Sequence, residues 1–227
     1  LYLDHPSYEP LLAAAEEHGA TIYLHPRYPS EQMLAPYRDY GMVAAVWGYQ
    51  ADAGTHAMRL ILSGVFDRHP RLQFVLGHLG EGLPLWMQRV DNRYAFAYKA
   101  AAADLGMVKL ELTPSEYLLR NFAVTTSGMD DPEALAFVLE RVGEDNVLFA
   151  VDYPYEDSNA ATQFLRDAEL TESQRAKISP TNAERLFRTI PRRLPVIPSP
   201  PSPRSPAAAA RSGLPPRMPC SRQTAPP

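Results

Sequence analysis

The sequence is nearly without cysteine: among its 227 residues only Cys220 occurs, close to the C-terminus. One thiol cannot form an intramolecular disulfide, so the fold must rest on its core, and a reducing, cytoplasmic setting is the expectation. Long apolar runs are lacking as well. None approaches the roughly 20 residues that a membrane span needs, and the opening LYLDHPSYEP has no signal-peptide pattern. Positive charge is scarce over residues 1–190, which carry 16 basic against 26 acidic side chains. That balance argues against a nucleic-acid surface.

Residues 191–227 lack the opposite things. They contain no acid and no aromatic residue, but 12 of the 23 prolines and six arginines. Such a composition cannot bury enough apolar surface to offset the entropy of ordering, so a disordered tail without catalytic role is expected there. The chain therefore divides into a folded part, 1–190, and a low-complexity tail, 191–227.

Within the folded part, short apolar runs alternate with helical stretches, the order of repeated β/α units around a parallel sheet. Strands are expected at Thr21 to Leu24, Leu72 to Leu76, Asn121 to Thr126 and Asn146 to Val151. YEPLLAAAEEHG, with proline near its first turn and Gly19 at its end, reads as a helix. A second helix is expected around Met58, Ile61, Leu62 and Val65, a third from Pro84 to about Ala100, and a fourth over Pro132 to Val142, closed by Gly143. Helices near Asn159 to Ala168 and Pro180 to Thr189 complete the set. Four such units fit either an open sheet or half of a (β/α)8 barrel.

The polar residues at the strand ends favour the barrel. His25 follows TIYL, His78 follows QFVLG and Asp152 follows NVLFAV. Each stands just past the C-terminal end of a strand, and in a barrel those ends gather on one face. Imidazole and carboxylate are suitable ligands for Zn or Mn when they converge from separate strands. Taken singly, each is equally compatible with a structural histidine or a turn aspartate. Glu81, three residues beyond His78 in GHLGEGLP, is in reach to orient the imidazole. Arg89, in the following helix, suits bidentate contact with a substrate carboxylate.

Together, LHPR at 24–27, WGYQADAGTHAMRLILSGVFDRHPRL at 47–72, GHLGEGLPLWMQRVDNR at 77–93, TTSG at 125–128, LFAVDYPYE at 148–156 and NAERLF at 182–187 resemble the amidohydrolase-related family that contains the metal-dependent aromatic acid decarboxylases. The resemblance covers nearly all of residues 1–190 and leans to the γ-resorcylate and dihydroxybenzoate branch. It implies a (β/α)8 barrel, a divalent metal held by His25, Asp152 and His78, and a small aromatic acid as substrate. His78 and Asp152 would move protons, Glu81 would support His78, and Arg89 would hold the substrate carboxylate. A homo-oligomer is implied for the full-length protein. The long segment from Pro26 to Asp52, with Tyr28, Tyr37, Tyr40, Trp47 and Tyr49, would wall an aromatic substrate, and is equally suited to packing or subunit contact.

One part of the family pattern is missing. A first strand with a Glu-x-His or His-x-His pair would supply two more ligands, and no such pair occurs here. The expectation is a partial barrel of about four β/α units, from a longer enzyme or an incomplete gene reading. Decarboxylation is the leading activity. The alternatives are a hydrolase of the same superfamily acting on a lactone, ester or amide, and an inactive fragment.

Overall fold

In the computed structural model, residues 1–187 are described. The tail assigned above to residues 191–227 lies outside the described residues.

Helix α1, Glu9–His18, begins with Pro10 in its first turn and ends at Gly19, whose left-handed backbone turns the chain into strand β1, Thr21–Leu24. Helix α2, Gly48–Leu62, leads through a single turn at Val65–Arg68 into β2, Gln73–Leu76. Helix α3, Leu83–Ala101, follows. Then come α4, Pro114–Asn121, and β3, Phe122–Thr125. Helix α5, Pro132–Val142, precedes the two-residue strand β4, Val147–Leu148. Helices α6, Ser158–Asp167, α7, Glu172–Ala176, and α8, Asn182–Leu186, finish the described chain.

All strand pairs are parallel, and the sheet order β1-β2-β3-β4 follows the chain without reversal. A doubly wound sheet reverses its order at a switch point, whereas a barrel wall does not. The four strands are thus an arc of a barrel wall, and the open-sheet alternative falls away.

Strand alternation builds the two faces. Phe74, Leu76 and Phe122 point to the helical layer and join Phe66, Leu60, Ile61 and Tyr117 in the main core. There the rings of Phe66, Phe74 and Phe122 meet at centroid distances of 5.3 to 5.7 Å. Val75, Ala123 and Leu148 point to the other face, where Leu186 of α8 closes over them. A one-residue slip in any strand would exchange these sets, so burial on both faces pins the register.

Several elements differ from the sequence expectation. The helix around Met58 starts ten residues earlier, at Gly48, and stops at Leu62; Gly64 separates it from Val65. Its buried face is formed by small and large residues together, Ala53, Ala57, Leu60 and Ile61, and counting only large apolar side chains hides half of it. Strand β4 is shorter than Asn146 to Val151. Beyond Leu148 the Thr126 side chain replaces the ladder: its hydroxyl donates to Ala150 O at 3.0 Å and accepts from Ala150 N–H at 3.2 Å. Helix α4 lies where no helix was expected, although Thr113-Pro-Ser-Glu116 is a capping signal, with Thr113 N–H donating to Glu116 Oε2 at 2.7 Å.

The NAERLF segment is fastened through one side chain. Asn182, 1 % exposed, donates from Nδ2 to Glu144 O at 2.7 Å and to Val147 O at 2.8 Å, so α8 is tied to the start of β4. Replacing Asn182 by Ala strands two carbonyls in the interior and should lower unfolding stability by about 2 to 3 kcal/mol. Denaturant melts of the two proteins would measure this, and an unchanged midpoint would contradict it.

Candidate active site

The turn after β2 is the least relaxed backbone among the described residues. His78, Leu79 and Glu81 all have φ between 50 and 53°, and Gly80 and Gly82 are left-handed as well. Side chains with a Cβ occupy this region at a cost of about 1 to 3 kcal/mol each, and such residues persist where packing over-determines them. Here the packing is at Gly80. A Cβ on it would come within 3.0 Å of Val124 Cγ1 and 3.1 Å of Pro84 Cδ on a left-handed backbone, so glycine lets the turn press onto β3 without displacing them. Gly80→Ala should cost about 1 to 3 kcal/mol and disturb His78, read as a lower Tm together with a shifted His78 ring resonance.

This turn sets His78 between two carboxylates. Its Nδ1 hydrogen-bonds Glu81 Oε1 at 2.7 Å, and its Nε2 lies 3.6 Å from Asp152 Oδ2. Glu81 is buried to 1 % side-chain exposure, while His78 and Asp152 stay open to 24 and 27 %. The second oxygen of Glu81 is buried without a protein partner among the described residues. Asp152 has φ 75°, so both members of the close pair sit on strained backbone. The main chain of His78 is held too: its N–H donates to Ser127 Oγ at 3.3 Å, Ser127 shares a 2.7 Å bond with Thr125, and Thr125 a 3.1 Å bond with Tyr23 Oη on β1. TTSG thereby links three strands beneath the site. Gly128, its last residue, leaves room beside the imidazole, because a Cβ there would reach 3.4 Å from His78 Cδ2.

His25 stands across the same cavity. Its Nδ1 is 2.7 Å from Pro26 O; a carbonyl only accepts, so Nδ1 donates and Nε2 carries the lone pair. The cavity, about 450 Å³, is lined by His25, His78, Glu81 and Asp152 together with Tyr49, Gln50, Gly128, Met129, Tyr155 and Glu156. Sequence reasoning assigned no role to Gln50, Gly128, Met129, Tyr155 or Glu156. Tyr155 and Glu156 follow Asp152 so closely that VDYPYE itself carried the signal. Gln50 reaches the cavity from α2, and no local pattern announces it.

Four of the five expected site residues are therefore brought together. Arg89 is not: it lies on an exposed part of α3 and is absent from the cavity lining. Nor do the histidines and carboxylates form a finished metal cage, since among the described residues no three His, Cys, Asp or Glu side chains are grouped to hold an ion. Both nitrogens of His78 face carboxylates, and His25 Nε2 and the carboxylates of Asp152 and Glu156 border the same cavity. His69 is occupied elsewhere, between Glu9 at 2.7 Å and Glu16 at 3.4 Å.

Residues 1–189 match the family model described as Amidohydrolase. The chain belongs to the amidohydrolase family. Among its relatives, the γ-resorcylate decarboxylase of Rhodococcus jostii (strain RHA1) is 38 % identical over 191 residues, which cover 83 % of this chain and 56 % of the relative. The crystal structure of 5-carboxyvanillate decarboxylase from Sphingomonas paucimobilis has 46 % identity and a TM-score of 0.79, over 83 % of this chain and 55 % of that one. The enzyme of the same name from Novosphingobium aromaticivorans, complexed with manganese and 4-hydroxy-3-methoxy-5-nitrobenzoic acid, has 32 % identity and a TM-score of 0.80, over 83 and 53 %. This amidohydrolase chain thus spans about half the length of the relatives it matches, in agreement with four strands of a barrel wall. No helix among its described residues is long and apolar enough to cross a membrane.

The charge environment gives a test. The Glu81 hydrogen bond, and then the charges of Glu81 and Asp152, hold the His78 imidazole above its ordinary value of 6.5, with burial opposing them. A group raised on folding contributes stability that is fully present below its unfolded value and is lost as pH rises through the folded value. In the metal-free protein, Glu81→Gln should bring the His78 midpoint down in an imidazole NMR titration and remove that gain on the acid side. An unmoved midpoint would show that Glu81 does not control His78.

Proposed function

We propose that this amidohydrolase chain carries the proton-handling part of a metal-dependent decarboxylase for hydroxylated aromatic acids. The observation that supports it most is the Glu81–His78–Asp152 chain opening into the cavity that His25 also lines. Imidazole nitrogen and carboxylate oxygen suit a divalent ion such as Mn or Zn in kind, and His25 Nε2 and Asp152 would hold it as part of a coordination shell. When bound, the ion supplies a Lewis acid that binds and orients the acid's oxygens.

Decarboxylation exchanges the ring's bond to the carboxylate for a bond to hydrogen. One proton must reach the ring carbon, and the electron pair of the broken C–C bond returns to the ring as CO2 leaves. Asp152, a quarter exposed at the cavity, is positioned to hold that proton. His78 Nε2 faces Asp152 and is the group to replenish it. Glu81 keeps the imidazole oriented through Nδ1 and balances its charge when protonated.

The test uses the acids named for the relatives, γ-resorcylate and 5-carboxyvanillate. Incubated with the 227-residue chain and Mn²⁺, at least one should yield CO2 and the corresponding phenol by chromatography. Asp152→Asn should slow this by about 100-fold or more. Hydrolysis of lactones or esters with no CO2 from any aromatic acid would overturn the reading in favour of a hydrolase.

A further inference from the structure

Away from the cavity, a cluster of titratable side chains ties two distant parts of the chain together. The segment Tyr2–Asp4 lies along α2 and is fastened residue by residue. Tyr2 Oη donates to Asp52 Oδ1 at 2.6 Å, and Leu3 N–H donates to His56 Nε2 at 2.9 Å. Arg59 donates from Nε and Nη2 to the two oxygens of Asp4 at 2.9 and 2.6 Å. Asp52, His56 and Arg59 are four and three residues apart, so they form one stripe of the helix. Aromatic faces fill the space between these bonds: the rings of Tyr2 and His56 meet at 4.8 Å between centroids, and the Arg59 guanidinium lies 5.4 Å over the Tyr2 ring.

The bonds respond differently to protons. Burial, and then the bond to Asp52, push the Tyr2 phenol up to about 12, so it remains a donor at neutral and acid pH. Arg59 is raised above its ordinary value by its bonds to Asp4 and stays charged. His56 is the exception. A main-chain N–H only donates, so Nε2 carries the lone pair and the ring is neutral while the bond to Leu3 exists. A proton on Nε2 would set one N–H against another and place a second cation beside Arg59. Burial drives His56 below its ordinary value of 6.5; the carboxylates of Asp52 and Asp4 oppose this, and Arg59 and the Leu1 amine add to it.

The other side of α2 serves the cavity. Gln50, in its first turn, is part of the lining. Gly54, two residues from both Asp52 and His56 and so across the helix from them, faces the turn that carries His78: a Cβ on it would stand 3.7 Å from Glu81 O. We infer that His56 is a pH-sensitive latch: neutral, it fastens Tyr2–Asp4 along α2, and protonated, it releases Leu3 and withdraws one support from the helix that brings Gln50 to the cavity. The latch is independent of the reaction assigned to that cavity.

Nuclear magnetic resonance of the metal-free 227-residue chain, from about pH 8 to about pH 5, tests this. The ring resonances of His56 give its midpoint, expected below 6.5, and the heteronuclear NOE of the Leu3 amide reports how ordered that residue is on the picosecond to nanosecond scale. The Leu3 NOE should fall as pH is lowered, with the midpoint of His56. In His56→Gln, whose side chain does not titrate, this dependence on pH should vanish whether the segment is held or free; circular dichroism confirms that the variant is folded. Order at Leu3 that is unchanged while His56 titrates, a fall that survives in His56→Gln, or a His56 ring that takes up no proton over the range overturns the latch.

Discussion

The site depends on a strained turn packed against a strand. Gly80 packs so close to Val124 and Pro84 that a side chain there would have to push them aside, in a turn whose His78, Leu79 and Glu81 are in left-handed conformations that they do not adopt by preference. The strain has a chemical result. It directs the imidazole of His78 and the carboxylate of Glu81 toward each other across three residues, with one nitrogen committed to a buried acid and the other to the cavity. A relaxed loop would place the same residues at the strand end without fixing which nitrogen faces the cavity.

The support beneath this turn is shared among strands. Parallel pairing brings the ends of β1, β2 and β3 level, and the hydroxyls of Tyr23, Thr125 and Ser127 pass hydrogen bonds across them to the His78 main chain. Thr126 extends the same connection to Ala150, two residues before Asp152. The four residues TTSG thus fix the positions of both His78 and Asp152, although none of their side chains is a candidate acid or base. Placing a polar chain here is favourable because each buried hydroxyl finds a partner.

The fold was largely legible because its signals are local. Proline and glycine bracket α1, Pro132 and Gly143 bracket α5, and the apolar runs at Thr21 and Gln73 match the observed strands. The misreadings also have local causes. The alanines and glycines on the buried side of α2 carry no hydrophobic signature, and beyond β4 the ladder at Ala150 is lost to a threonine 24 residues earlier in the chain, an exchange that depends on β3 lying alongside. Arg89 shows the limit from the other direction: its chemistry suits a substrate carboxylate, but it is exposed on its helix and is not among the residues that line the cavity.

The scarcity of cysteine, the acidic folded part and the strand-end His25, His78 and Asp152 determine, from sequence alone, a parallel β/α protein with a potential metal-binding face and no disulfide. Periodicity and residue chemistry suffice for that, since they act over a few positions. Tertiary structure decided the rest: that the strand order runs without reversal, that Gln50 joins the cavity from α2, and that the imidazoles and carboxylates share a cavity without closing a full coordination shell among the described residues. These are matters of distance between residues far apart in the chain, and distance is set by packing.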